Sequence, residues 1–126
     1  MIGTPRYVVH FGQFRKNCTE VMTGFNAAWG ANVEYGYSVK TNRDSKLILY
    51  ANRDLGWKIE VVSPDEYNYV KGLGINDEDI ILNGPCKTRL FQQLNDLPGI
   101  VNLDNYGEVD EFVRCFPKYK GLIGLR

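Results

Sequence analysis

The chain has 126 residues, of which 44% are hydrophobic and 24% charged, a composition typical of one folded domain rather than a disordered segment. Fifteen basic and fifteen acidic residues cancel, and neither sign forms a long run. This balance argues against a nucleic-acid partner and against a basic membrane-binding patch. No apolar stretch approaches the roughly 18 residues of a membrane span, so no membrane partner is expected.

Three cysteines, Cys18, Cys86 and Cys115, are odd in number and widely spaced. Their surroundings are apolar or loop-like, and no ligand spacing indicates zinc, so no metal site is predicted. We expect reduced thiols and a cytoplasmic protein, because disulfides are rare in that compartment.

The first predicted elements are a turn that enters a short strand, together at residues 3–9, and a helix at residues 13–28. His10, the sole histidine, has no acid or nucleophile motif beside it and receives no catalytic role. Apolar residues recur along the helix at intervals of 4, 7, 8 and 11 residues, and we interpret this stripe as core packing. The stripe consists of Phe14, Cys18, Val21, Met22 and Phe25.

Residues 33–42 alternate in polarity and predict a strand that ends in a lysine. The alternation gives two faces: Tyr35, Tyr37 and Val39 on one, and Gly36, Ser38 and Lys40 on the other. Because burial of an ammonium is costly, Lys40 either extends its head group to water or has a partner or covalent chemistry. A desolvated lysine loses its proton more readily and can form a Schiff base with an aldehyde such as pyridoxal phosphate.

From this strand onward, strands and helices alternate. Further strands are predicted at residues 58–63, 80–83, 100–104 and 122–126, and helices at residues 44–55, 64–73, 88–96 and 107–116. The polar residues that close the strands are spaced by 23, 20, 21 and 22 positions: Lys40, Ser63, Asn83, Asp104 and Arg126. A repeat of this length predicts successive parallel strands with helices packed outside them.

The predicted fold class is therefore α/β, either a partial (β/α)8 TIM-type barrel or a small doubly wound sheet. Polar residues at strand carboxyl ends favour the barrel, because barrel enzymes carry their chemistry there. A closed barrel needs at least roughly 200 residues. We therefore expect the first five or so barrel strands, plus the N-terminal strand, in a fragment or in a chain that must associate.

Five motifs occur along the chain in a fixed order. They are YSVKTN at residues 37–42, EVVSPDEY at 60–67, ILNGPCK at 81–87, NLDNYGE at 102–108 and LR at 125–126. In order and spacing they resemble the alanine-racemase-fold (fold type III) pyridoxal-phosphate-dependent decarboxylases. The resemblance is closest to diaminopimelate decarboxylase, with ornithine and arginine decarboxylases as near relatives. The resemblance extends over nearly the whole of this chain, which corresponds to only about the first third of a typical family member.

The resemblance implies a site for pyridoxal 5'-phosphate. Lys40 would be the lysine that forms the internal aldimine, and Ser38 would line the cofactor pocket. Glu60 stands where the family usually has an aspartate near the ring, and Arg126 matches an arginine that approaches the phenolic oxygen. From the residues alone, Glu60 could equally be a structural ion-pair partner of Lys40.

The resemblance also implies a domain organisation. Residues 1–12 would be an N-terminal strand that joins a β domain, and residues 13–126 the N-terminal part of the pyridoxal-phosphate-binding barrel. The family's phosphate loop, the acid that pairs with the pyridine nitrogen and the β domain all come later in its chain. We therefore expect an inactive fragment of a homodimeric, cytoplasmic lyase whose substrate is an amino acid, a small molecule, as in lysine biosynthesis.

Several alternatives stay open. The parent protein could be an amino-acid racemase, which shares the fold and the lysine, or a non-catalytic regulatory homologue. A third alternative is a small doubly wound binding domain, which would not bind pyridoxal phosphate. Ser63 and Glu66 form a predicted capping box, which explains both without catalysis. Asn83 and Asp104 could fix loops or contact a ligand, and residues 84–87 are interpreted as a turn rather than a phosphate loop.

Overall fold

The computed structural model describes residues 7–30, 32–94 and 97–126. It divides into two compact units, Met1–Val33 and Glu34–Arg126. None of the helices in the described ranges is long and apolar enough to cross a membrane.

The first unit contains one long helix, α1 (Phe11–Trp29). The His10 imidazole caps it by accepting a hydrogen bond from the Gln13 backbone N–H at 3.0 Å, so the sole histidine has a structural role here. The helix prediction is confirmed, but the core-packing interpretation is wrong for Val21 and Phe25, which are 43% and 46% exposed in the described part of the chain.

The predicted N-terminal strand is not present over its described part. Residues 7–9 have no ladder partner among the described strands, and Tyr7 and Val8 are fully or nearly fully exposed. A β-branched and aromatic composition alone does not make a strand, because the extended backbone needs a partner for its hydrogen bonds. Residues 3–6 of that prediction lie outside the described residues.

The second unit is built on a five-stranded parallel sheet. Its strands are β1 (Gly36–Ser38), β2 (Lys58–Val61), β3 (Ile80–Leu82), β4 (Ile100–Leu103) and β5 (Leu122–Leu125), in the spatial order of the sequence. A doubly wound sheet reverses its strand order at a switch point, whereas a barrel adds strands in sequence. The order confirms the partial barrel, with the five strands expected.

Helical segments follow the first four strands. They are α2 (Ser45–Leu49), which continues into a π-helical turn (Tyr50–Asp54), then α3 (Pro64–Gly72), α4 (Thr88–Phe91) and α5 (Tyr106–Cys115). A 3₁₀ helix (Asp77–Asp79) precedes β3. Only the first turn of the helix predicted at residues 88–96 is helical, and Asn95 and Asp96 lie outside the described residues. The apolar residues in this segment, Leu90, Phe91 and Leu94, are buried as their spacing predicts, although they do not form one long helix.

The two faces of the sheet differ in exposure. One face is fully buried and forms the core, with Ile59, Val61, Ile80, Leu82 and Val101 all at 0% exposure. The other face is half-exposed and carries Ser38, Glu60 and Asn102. Ser38 is in register with Glu60, and Asn102 with Gly124. A β-carbon at Gly124 would overlap the Asn102 side-chain oxygen, so a larger residue there would require the Asn102 amide to move.

Two helices begin with the same capping device. Ser63 Oγ accepts from the Glu66 N–H at 3.2 Å, which confirms the predicted serine cap. Glu66 Oε2 accepts from the Val62 N–H at 2.9 Å, one residue before the N-cap, whereas a capping box would use the N–H of Ser63 itself. At α5, Asn105 Oδ1 accepts from the Glu108 N–H at 3.0 Å. Each cap fixes the direction in which the chain leaves the preceding strand. It therefore also fixes the position of the polar residue at the end of that strand.

The Ser63 cap gives a stability prediction. Replacement Ser63→Ala leaves the first turn of α3 without its side-chain acceptor and should lower the free energy of unfolding by about 1 kcal/mol, as read from urea denaturation. Thr41→Ala, in an exposed turn, is the control. Equal stability of the two variants would contradict a capping role for Ser63.

Candidate functional site

Polar side chains meet at the carboxyl edge of the sheet. Because the five strands are parallel, their carboxyl ends lie along the same edge, and each is followed within one or two residues by a polar side chain. In strand order these are Lys40, Ser63, Asn83, Asp104 and Arg126. Residues up to 86 positions apart in sequence therefore reach one edge.

Lys40 lies in the turn that follows β1. The Val39 N–H donates to the Glu60 carbonyl at 3.1 Å, which extends the ladder beyond Ser38, and the Thr41 N–H closes the turn on the Ser38 carbonyl at 3.2 Å. Lys40 is exposed, so its amine is accessible from solvent. The desolvation expected from the strand pattern is not provided by the described residues, because the turn carries the side chain past the packed part of the strand.

Glu60, Asn83 and Arg126 form a chain of polar contacts across β2, β3 and β5. Asn83 Nδ2 donates to Glu60 Oε1 at 2.6 Å, and Arg126 Nη1 donates to Asn83 Oδ1 at 3.4 Å. The same guanidinium lies 3.9 Å from Asp104 Oδ2. The structure thus places Asn83 and Asp104, which the sequence left open between loop and ligand roles, beside two of the predicted site residues.

The surroundings of Glu60 favour its charged form. Burial alone would raise its pKa, but the hydrogen bond from Asn83, the nearby Ser38 hydroxyl and the positive charges of Lys40 and Arg126 outweigh this and hold the pKa below its usual value. Glu60 therefore interacts electrostatically with all three of the other predicted site residues. Its carboxylate is the centre of the cluster.

A second polar cluster lies behind this edge, around the fully buried Lys87. The Lys87 Nζ lies 2.9 Å from Glu108 Oε2 and 3.3 Å from Asp104 Oδ1, and it also donates to the Gly84 carbonyl. Glu108 Oε1 accepts from the Lys87 backbone N–H at 2.9 Å, and Glu108 Oε2 from the Asp104 N–H at 2.9 Å. Asp104 thus contacts Lys87 on one side and Arg126 on the other.

The loop between Asn83 and Lys87 explains how this lysine becomes buried. Gly84 and Cys86 have φ of 96° and 58°, so the chain bends sharply, as the turn prediction for residues 84–87 expected. The bend brings the Lys87 Nζ back to the Gly84 carbonyl at the start of the loop. A buried ammonium requires anionic partners, which Glu108 and Asp104 supply.

Glu108 is held ionised by the same contacts. Burial would raise its pKa, but the Lys87 ammonium and the backbone N–H groups of Asp104 and Lys87 lower it below the usual value. Sequence reasoning missed both Lys87 and Glu108. The spacing Asn105-x-x-Glu108 repeats that of Ser63-x-x-Glu66 and could have identified the cap, whereas nothing in the local sequence marks Lys87 as buried.

These observations define a stretch of (β/α) barrel with a charged site at its carboxyl edge. Among solved structures, the arginine decarboxylase of Paramecium bursaria Chlorella virus is similar, with a TM-score of 0.61 and 19% identity over 86% of this chain and 29% of that chain. At that identity the likeness shows the fold alone.

The family follows from the sequence match. Residues 12–126 match the model of the family described as "Pyridoxal-dependent decarboxylase, pyridoxal binding domain", so the chain belongs to this family. Among curated proteins, it is 42% identical over 59 residues to an ornithine decarboxylase of Caenorhabditis elegans, which is 47% of this chain and 14% of that protein. The chain thus spans less than a third of either relative.

The described residues fit the pyridoxal phosphate cofactor of this family. Lys40 presents an accessible primary amine, the group that an aldehyde requires. Arg126, with a side chain 60% exposed, presents a guanidinium at the same edge, which suits an anionic oxygen.

Removal of the buried ammonium should be costly. Lys87→Met keeps the length of the side chain but leaves the Glu108 carboxylate buried without its cation, and a loss of about 3–5 kcal/mol in the free energy of unfolding is expected. Lys118→Met, at an exposed position, is the matched control. A chemical denaturation midpoint equal to that of the control would show that the Lys87 ion pairs add nothing to stability.

Glu108 should also shape the acid dependence of stability. Because its folded pKa is below the usual value of 4.5, its contribution is present above that pH and is lost as the pH falls through the lower folded pKa. Wild type should therefore lose stability more steeply below about pH 4.5 than Glu108→Gln does. Glu78→Gln, at an exposed site, should show the same loss of unfolding free energy with falling pH as wild type. If Glu108→Gln also lost stability as steeply as wild type below this pH, Glu108 would not be the group responsible.

Proposed function

We propose that this chain is the N-terminal part of a pyridoxal-phosphate-dependent amino-acid decarboxylase in which Lys40 binds the cofactor covalently. The observation that carries the proposal is the convergence of Lys40, Glu60 and Arg126 on one edge of the sheet, in a chain of the pyridoxal-binding family. An amine, a carboxylate and a guanidinium at that edge are the groups that such a cofactor needs.

Each residue has a distinct role in this proposal. Lys40 supplies the nucleophilic amine, and Arg126 supplies positive charge for the phenolic oxygen. Glu60 remains ionised beside both, so it balances their charge and orients Lys40. Ser38, in register with Glu60 on the neighbouring strand, lines the pocket. When bound, the cofactor supplies an electron sink for the carbanion left when carbon dioxide departs.

The substrate class and assembly of the whole protein are also proposals. The matched family is one of decarboxylases and the curated relative is an ornithine decarboxylase, which supports an amino-acid substrate and favours decarboxylation over racemisation. The narrower resemblance to diaminopimelate decarboxylase, and with it lysine biosynthesis, stays a prediction. So do the cytoplasmic location, the homodimer and the expectation that the N-terminal segment, residues 1–12, joins a β domain.

Covalent trapping tests the role of Lys40. The 126-residue chain is incubated with pyridoxal phosphate, reduced with borohydride and digested, and the modified peptides are mapped by mass spectrometry. We expect labelling concentrated on Lys40, lost in Lys40→Ala and retained in Lys118→Ala. Labelling spread evenly over the exposed lysines, with no loss in Lys40→Ala, would overturn the assignment.

A second measurement tests the expectation that this chain alone is inactive. The described residues supply an amine and charges for the cofactor, but the resemblance places other essential groups later in the family's chain. We expect no release of labelled carbon dioxide from carboxyl-labelled ornithine, arginine or diaminopimelate in the presence of the cofactor. Release above the Lys40→Ala background would contradict this expectation.

A further inference from the structure

The side chain of Asn83 lies between two residues of the proposed cofactor site. It donates to Glu60 Oε1 at 2.6 Å and accepts from Arg126 Nη1 at 3.4 Å. We infer that Asn83 is a positioning residue, which holds the Glu60 carboxylate and the Arg126 guanidinium in fixed relative positions so that the cofactor meets both groups already oriented. The inference rests on the proposed function, because it concerns the same site.

The chemistry of the three groups makes an amide the suitable link. A carboxylate only accepts hydrogen bonds and a guanidinium only donates them, whereas an amide does both. This pairing also fixes which way the Asn83 amide points, since only Nδ2 can serve Glu60 and only Oδ1 can serve Arg126. An aspartate at this position would still accept from Arg126 but would place a second negative charge against Glu60.

The backbone around Asn83 is fixed on both sides. Its N–H donates to the Val61 carbonyl at 2.9 Å, which extends the β2–β3 ladder by one residue. The next residue, Gly84, has φ of 96°, and a β-carbon there would lie 3.1 Å from the Val62 β-carbon. The buried Lys87 then anchors the Gly84 carbonyl. Asn83 is therefore held on a rigid element, as a positioning residue requires.

The consequence for the site is electrostatic. The hydrogen bond from Asn83 is one of the contacts that keep Glu60 charged. Without the amide, Glu60 loses this donor, and Arg126 loses its hydrogen-bond acceptor and keeps only the ion pair with Asp104 at 3.9 Å. Both groups would then be less well oriented, although neither is removed.

The test measures Glu60 directly in the full 126-residue chain without cofactor. In protein labelled with carbon-13 at glutamate carboxyl groups, the NMR titration midpoint of Glu60 should rise by about one pH unit in Asn83→Ala, because a charge-assisted hydrogen bond is lost. Asn76→Ala, whose asparagine makes no side-chain cap, should leave the midpoint unchanged. An unchanged midpoint in Asn83→Ala would overturn the inference, even if that variant is less stable.

Asn83→Asp is the second variant and decides the question if Asn83→Ala does not fold. It has nearly the same shape, should raise the Glu60 midpoint by charge repulsion, and should keep the Arg126 guanidinium protons as slow to exchange with water as in wild type. In Asn83→Ala those protons should exchange faster. A Glu60 midpoint that does not move in Asn83→Asp would overturn the inference.

Cofactor trapping separates this inference from the proposed function. Borohydride labelling at Lys40 at a limiting concentration of pyridoxal phosphate should fall several-fold in Asn83→Ala relative to Asn76→Ala. Equal labelling would overturn the positioning role. Absence of selective labelling in wild type would instead overturn the proposed function, while the Glu60 titration would still report on Asn83.

Discussion

The parallel order of the strands is the constraint on which the rest of this structure depends. Since each strand adds beside the previous one in the same direction, every carboxyl end falls on the same edge. The buried face, with residues such as Ile59 and Val101, fixes the helices and the core, while the half-exposed face carries the polar groups. The site is thus a consequence of strand order, and the side chains in it need no proximity in sequence.

The electrostatics of this edge connect the site to the core. Three cations and three carboxylates lie along it: Lys40, Lys87 and Arg126, with Glu60, Asp104 and Glu108. A buried lysine is tolerated only where anions surround it, and Asp104 serves both the buried Lys87 and the exposed Arg126. One network therefore stabilises the loop after β3 and orients the guanidinium that faces the proposed cofactor. The same charged residues therefore contribute to stability and to the proposed cofactor site.

Much of this architecture could be predicted from the sequence, because the spacing of strand-closing polar residues reports the length of one strand and helix unit. The parallel sheet, the five strands and the Ser63 cap follow from such local patterns. Contacts between strand ends do not: Asn83 meets Glu60 across 23 residues, and the burial of Lys87 depends on a bend and on Glu108 from another unit of the repeat. At α4 and at residues 7–9 the sequence predicts more regular structure than is present. A local pattern produces a helix or strand only where other parts of the described chain pack against it or pair with it.

If the carboxyl edge of this sheet is the cofactor site, a map of chemical-shift changes will locate bound pyridoxal phosphate there. Backbone amide spectra of the nitrogen-15-labelled chain would be recorded with and without pyridoxal phosphate. We expect changes confined to the turn after β1 and the carboxyl ends of β2, β3 and β5, around Lys40, Asn83 and Arg126. Changes centred on the opposite edge, near the Lys58–Asp79 ion pair, or dispersed over the surface would contradict it.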